Sequence, residues 1–467
     1  MVGAGISGLA AAAALGDRGV PVTVFEGSPR IGGKLSLAEV GGITVDVGAE
    51  AMLNRRPEAT ALARRCGLAD RLVHPATTAA SLWSRGEMRP LPRTVMGVPA
   101  DARALVASRV VSRRGLARAA VEVALPSTRL HSTDDLSVAD LVGRRFGAEV
   151  VDRLVEPLLG GVYAGHAREL SARATVPQVV ALLDKERSML RAATSVAGSR
   201  VDDVPVFAGL VGGVGRLPEA VARSAGIEVR TDTSVRRLAR RATGWELEVG
   251  SAHAPEVVSA DIVVLATPAR PTSRLLRDVA PAAAAELAGI EYASMAVVSL
   301  VFRTGDLPQT TGSGFLVPPV DRRDVKAATY SFAKWDWVRE AGRAGDDGDD
   351  LLMLRCSIGR HREEHVLQAA DEDLVRLALA DLGDAIGLEA RPVDALVTRW
   401  GGALPQYAVG HPERVRRIRF SVEQLPGLAV CGAAYDGLGI PACIASADRA
   451  ATQVLDGLAS RGEWTRD

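Results

Sequence analysis

The sequence predicts an α/β fold: a Rossmann-like dinucleotide-binding domain interlocked with an α+β substrate domain that carries a helical insertion. Three observations predict it. Gly3-Ala4-Gly5-Ile6-Ser7-Gly8 heads the chain as a strand-to-helix turn, and Gly432 to Ile440 forms a second glycine-rich turn into a helix near its end. Between them, residues 76–205 carry apolar residues at helical rather than strand spacing. The expected divisions are 1–75, 206–275 and 401–467 for the three parts of the dinucleotide domain. Residues 76–205 form the helical insertion and 276–400 the sheet-containing substrate domain.

The first turn fits a dinucleotide for a physical reason. Gly3 permits the tight turn, Gly5 lets backbone approach a pyrophosphate, and Gly8 lets the helix pack closely on a sheet. Ala4, Ile6 and Ser7 supply backbone at the helix start, where N–H groups and the helix dipole favour phosphate. Glu26, eighteen residues after Gly8 at the end of the strand Val22-Thr23-Val24-Phe25, is placed for a ribose 2′-hydroxyl. A carboxylate there disfavours the 2′-phosphate of NADP. Only Met1 and Val2 precede Gly3, where a strand of five or six residues is expected. We therefore expect codons for such a strand upstream of Met1, and a weakened grip on the pyrophosphate in the chain as written.

Composition narrows the partners. The 56 basic and 56 acidic residues of the 467 balance, so no global charge recommends nucleic acid. Cys66, Cys356, Cys431 and Cys443 are scattered, which suggests free thiols and neither a disulfide framework nor a zinc site. No run of eighteen apolar residues and no signal-peptide pattern occurs, and a soluble, cytoplasmic protein is expected. His361-Arg362-Glu363-Glu364-His365 has a zinc-like spacing but no evident third ligand, and Gly345 to Asp350 lacks calcium-loop spacing and reads as a solvated hairpin. No metal is expected.

Arg30-Ile31-Gly32-Gly33-Lys34, just beyond Glu26-Gly27, is a second glycine turn that can pass close to adenosine and pyrophosphate, with Arg30 and Lys34 as cations. Ile43 to Met52 reads as a strand entering a turn at Gly48-Ala49-Glu50-Ala51. With these three motifs the chain resembles the flavin-containing amine oxidase superfamily, and the resemblance implies FAD, with the third turn against its ring. Glu26 to Lys34 would then serve the adenosine side.

Within the insertion, helices are expected over 102–123, 137–146, 149–159 and 176–190. Residues 85–129 hold nine arginines, at 85, 89, 93, 103, 109, 113, 114, 118 and 129, against three acids. That surface could be a solvated face, could steer a polyanionic substrate, or could rest weakly on anionic lipid. Glu156-Pro157-Leu158-Leu159-Gly160-Gly161-Val162-Tyr163-Ala164-Gly165 resembles a segment of the porphyrinogen oxidases that general amine oxidases and carotenoid desaturases lack. His166 stands where relatives usually have Asp, at an expected surface position.

Phe207 to Leu217 resembles that family's return to the flavin domain, and Val235 inherits a backbone contact to adenine from the resemblance. Asp261 to Ala269 reads as a buried strand running toward the cofactor, and 276–400 as strands with one helix. Trp400 to Tyr407, with Gly410-His411, resembles a segment that passes flavin and substrate cavity. Gly432, Ala433, Leu438, Gly439 and Ile440 suit the flavin's ribityl and pyrimidine edge.

The resemblance spans the chain. It implies an FAD enzyme that oxidises a porphyrinogen by six electrons with O₂, giving H₂O₂, in heme biosynthesis. The flavin carries the chemistry, so no catalytic side chain is nominated. The arginine surplus favours coproporphyrinogen III, with protoporphyrinogen IX the alternative and hand-over to a later heme-pathway enzyme a further expectation. A general amine oxidase or carotenoid desaturase, an inert porphyrin-binding chain and an NAD-binding module remain open at this point.

Overall fold

In the computed structural model the described residues are 1–128, 134–198, 204–343 and 350–459. Met1 and Val2 run through the middle of a parallel sheet. Val2 bridges Phe25 on one side and Leu265 on the other, which joins the strand pair Thr23–Phe25 and Glu228–Arg230 to the pair Val263–Leu265 and Leu428–Val430. The turn is held by Val2 N–H to Val264 O (3.0 Å), Gly3 N–H to Phe25 O (2.8 Å) and Ala266 N–H to Val2 O (2.8 Å). Neighbours pair with both edges of these two residues, so Gly3 is supported across the sheet.

The helix Ile6–Gly16 is almost all small residues, and nine of its eleven are buried. Alanines let it lie close to the helices Ile440–Ala459 and Leu217–Ser224 over the sheet, so both chain ends share one core. A Cβ on Gly8 would run into the Gly3 carbonyl oxygen, which is the close packing expected of that glycine.

The substrate sheet has seven strands, in spatial order Asp394–Pro405, Tyr292–Arg303, Leu351–Ile358, Val325–Thr329, Gly314–Leu316, Ser81–Ser84, Glu87–Pro90. All pairings are antiparallel except Gly314–Leu316 with Ser81–Ser84. Two expected divisions therefore shift. Residues 81–90 are strands of this sheet rather than part of the helical insertion, and the 400/401 division falls inside a strand. The region 276–400 also holds more than one helix, Pro281–Ala288 and Asp371–Ile386 being the longest.

The insertion differs in detail from its expected helices. The stretch 102–123 is broken at Arg109, which takes a left-handed φ of 54°, into Ala102–Ser108 and Arg113–Ala120 followed by a 3₁₀ turn. Residues 176–190 become Pro177–Leu183 and Met189–Gly198. The break between them is fixed by buried Glu122, which accepts from Arg145 (2.5 Å), Ser188 (2.7 Å) and the Met189 N–H (2.7 Å). The helix over 138–146 forms as expected with Ser137 as its cap. The 149–159 stretch passes through a π turn at Val151–Val155 before Glu156–Tyr163, which Ala164 ends in the left-handed region. Arg129 lies outside the described residues, as does the expected hairpin apart from Asp350. No described helix is long and apolar enough to cross a membrane.

Candidate functional site

One cavity of about 1040 Å³ lies between the parallel sheet, the substrate sheet and the helix Glu156–Tyr163. It is at the top of the roughly 300–1,000 Å³ usual for ligand pockets. One end is bare backbone. Gly3 has φ +98°, a Cβ on Gly5 would meet nothing within 4 Å, and Gly432 has φ +125°. Gly32 N–H binds Ala4 O (2.8 Å), and a Cβ on Gly33 would lie 3.3 Å from Gly5 Cα, so the two glycine turns close on each other. The unpaired N–H groups at the start of Ile6–Gly16 face this space, a cradle suited to a pyrophosphate.

Glu26 is tied to that cradle. Its carboxylate accepts the Ala4 N–H (2.8 Å) and, on the other oxygen, the N–H and hydroxyl of Ser28 (2.9 and 2.8 Å). Lys34 is half-buried at the same end, and its removal from water pushes its pKa down. Arg30 turns away, donating to Gly33 O (2.8 Å) and lying 5.6 Å from the centre of the Trp400 ring. Trp400 donates in turn to Val47 O (2.9 Å), and a Cβ on Gly48 would run into the Lys34 carbonyl, so turn and strand are interleaved.

Glu50 links the two ends. Burial alone would raise its pKa, but ion pairs with Lys334 (2.5 Å) and Arg355 (3.0 Å) pull it down to about 2. Arg355 also donates to Gly48 O (2.7 Å). Glu50 is thus a strut from the third glycine turn to the substrate sheet. At the C-terminal turn Tyr407 donates to Ala433 O (2.6 Å) and stacks on His411 at 4.1 Å. Burial pushes the His411 pKa down to about 4.

Of the expected site residues, Gly3, Gly5, Ile6, Ser7, Glu26, Gly27, Gly32, Gly33, Lys34, Gly48 to Ala51, Val235, Trp400, Gly432, Ala433, Leu438, Gly439 and Ile440 line the cavity. Ala4, Gly8 and Arg30 do not. Their parts are a backbone bond, a helix contact and ring packing. The sequence reading missed the opposite wall, where Tyr292, Met295, Val297, Thr329, Arg355 and Ser357 point inward. Strand alternation pairs Met295 with Val297 and Arg355 with Ser357, but not which face is hollow.

Two expectations are corrected here. His166 is half-buried, its Nδ1 3.8 Å from Glu156 and its Nε2 within 3.1 Å of the His361 carbonyl, because the helix end tucks under the substrate sheet. None of the arginines of the 85–129 cluster among the described residues lines the cavity. Arg85 is spent on Glu149, Arg93 on Ala197 O and Arg118 on three helix-end carbonyls, while Arg103, Arg109, Arg113 and Arg114 are exposed. In the zinc-like pentapeptide, His361 is buried between Glu169 and Glu291, each 3.3 Å away, and His365 is exposed on a 3₁₀ turn.

Residues 6–455 match the profile of a family described as flavin containing amine oxidoreductase. The chain is 38% identical to the coproporphyrinogen III oxidase of Mycobacterium tuberculosis (strain ATCC 25618 / H37Rv), over 98% of this chain and 97% of that one. It is 30% identical to the coproporphyrinogen III oxidase of Bacillus subtilis (strain 168), over 97% of each. A solved structure from Exiguobacterium sp. 255-15, described provisionally as a protoporphyrinogen oxidase, superposes with a TM-score of 0.84 at 30% identity, covering 98% of both chains.

Proposed function

The chain belongs to the flavin containing amine oxidoreductase family, in its porphyrinogen oxidase branch, and from that premise we propose that it oxidises coproporphyrinogen III to coproporphyrin III with O₂ as acceptor. The cofactor is FAD, which when bound supplies the redox chemistry, taking two electrons in each of three rounds, while O₂ is reduced to H₂O₂.

The protein's own part is placement. Gly3, Ala4, Gly5, Ile6, Ser7 and Gly8 form the pyrophosphate cradle, with Gly32, Gly33 and Lys34 closing over it and Arg30 bracing that loop. Glu26 and Gly27 serve the ribose, and Val235 the adenine. Gly48 to Ala51, Trp400, Gly432, Ala433, Leu438, Gly439 and Ile440 enclose the ring. Glu50, locked between Lys334 and Arg355, fixes that enclosure against the substrate sheet. No side chain is assigned as acid or base.

One observation carries this reading. Gly161 and Val162, from the segment that resembles porphyrinogen oxidases and no other branch, line the same cavity as Gly3 and Gly5. The decisive experiment compares kcat/KM for coproporphyrinogen III and protoporphyrinogen IX while counting peroxide. We expect a clear preference for the former and three H₂O₂ per porphyrin formed. Preference for protoporphyrinogen would overturn the substrate, and turnover of amines alone would overturn the branch.

A further inference from the structure

Behind the cavity wall formed by the substrate sheet lies a charge without a counter-ion. Lys326, on the strand Val325–Thr329, is 2% exposed. Its ammonium donates to Gly359 O at 2.8 Å and stands 3.8 Å from Met295 Sδ. Among the described residues no carboxylate pairs with it. An ammonium has three donors, and a buried cation is ordinarily paired or expelled. Beside it Arg360, also buried, reaches only the carbonyls of Arg323 (3.3 Å) and Val317 (3.5 Å), with Glu363 at 3.7 Å. Two basic groups are stored behind one wall, and burial with the Arg360 charge pushes the lysine down to about 7.

The backbone delivers Lys326 there by irregularity. Pairing of its strand with Leu351–Ile358 slips between Val325 and Ala327, and pairing of Tyr292–Arg303 with Asp394–Pro405 slips between Ala293 and Met295. Such bulges re-aim side chains and gather beside active sites. Met295, Thr329 and Ser357 line the cavity, so the ammonium sits one thioether behind the face that meets substrate.

We infer that Lys326, backed by Arg360, is a specificity-determining residue that holds a carboxylate of the porphyrinogen at the Met295 face of the cavity, an inference that rests on the function proposed above. It positions the substrate and does not react with it. A charge in a water-poor wall attracts an anion more strongly than an arginine in solvent, and an unbranched methionine side chain can yield to let the partners approach.

The test is equilibrium binding of coproporphyrin III and of its tetramethyl ester to the FAD-loaded protein in one detergent-containing buffer, read from the flavin spectrum. It needs no turnover, so it can fail while the proposed oxidation stands, or hold where that oxidation fails. We expect Lys326→Met to weaken the tetra-acid about tenfold and leave the ester unchanged, with Lys326→Arg within threefold of the parent for both. Steady-state KM should follow, with kcat within about threefold. Equal loss of acid and ester, or loss of neither, would overturn the inference.

Should Lys326→Met not fold, the parent protein still decides. The free lysine is charged below about 7 and neutral above it, so tetra-acid affinity should fall several-fold from pH 6.5 to 8.5 while ester affinity stays flat. A flat acid profile would overturn the inference. The acids that act on Arg360 are Glu363, Glu156 of the helix Glu156–Tyr163, Asp324 and Asp381 of the helix Asp371–Ile386, whereas the charge that acts on Lys326 is Arg360 itself. His166, whose pKa is raised chiefly by the Glu156 carboxylate 3.8 Å away, lies nearby. Lys326→Arg should abolish the pH dependence, and its survival in that variant would assign it to His166 and sink the inference.

Discussion

At the glycine end of the cavity, Gly3, Gly5, Gly32 and Gly432 present backbone from three separate stretches of chain, whereas at the other end Met295, Val297, Thr329, Arg355 and Ser357 present side chains from neighbouring strands of one sheet. The first end works by the absence of atoms: a positive φ holds Gly3, Gly32 and Gly432 to glycine, Gly5 leaves open space where a Cβ would stand, and the result is a surface of bare backbone. The second works by register, since one residue of slip turns each strand's lining to the far side. Single substitutions should therefore fail differently at the two ends, the first losing cofactor and the second losing substrate.

The largest break is expected at Gly8→Val, whose new side chain would collide with the Gly3 carbonyl. Relief would displace the helix start or the turn, and the purified protein should be colourless or insoluble. Full flavin content in this variant would refute the account of the cradle.

Glu50→Ala tests the strut between the ends. It leaves Lys334 and Arg355 without their carboxylate, and removing one partner of a buried ion pair costs about 3–5 kcal/mol. With Glu50 15% exposed we expect the lower part of that range in denaturant unfolding of the holoprotein. In the parent this carboxyl's pKa is depressed to about 2. Its stabilisation is thus present above its ordinary pKa and is lost as pH falls through about 2.

Val297→Phe sharpens the contrast, because it adds bulk to the substrate wall while leaving the glycine cradle alone. Overpacking of about 1–3 kcal/mol should appear as a roughly 5- to 150-fold fall in kcat/KM for the porphyrinogen. Flavin content should match the parent, and equal loss of flavin and activity would show that the two ends are not separable.

The smallest effect is expected far from both. Replacing exposed Arg103, Arg109, Arg113 and Arg114 together with Gln should change kcat/KM by no more than about threefold at 0.15 M salt, where charges beyond about 8 Å are largely screened. A tenfold fall that salt reproduces in the parent would restore the steering role.

The same contrast explains how much could be read from residues alone. Glycines held at positive φ mark their own positions, so the turns at Gly3, at Gly32-Gly33 and at Gly432 were visible as turns. Arg30 and Ala4 stand in the turns expected of them, but that the Arg30 guanidinium packs on Trp400 and the Ala4 N–H goes to Glu26 could not be read, because a turn's identity does not say where its groups point. The short first strand looked like a defect, since a strand's support cannot be read from its own length when its neighbours pair both of its edges.

By itself the sequence determined the α/β class, the flavin family and, through Glu156 to Gly165, its porphyrinogen oxidase branch. Local backbone chemistry is written in local residues. Only the tertiary structure decided that 81–90 complete a sheet begun some two hundred residues later, that Glu50 meets Lys334 and Arg355, and that bulges at Ser294 and Lys326 store a cation behind Met295. Those facts depend on strand order, register and burial, which arise from contacts between residues far apart in the chain.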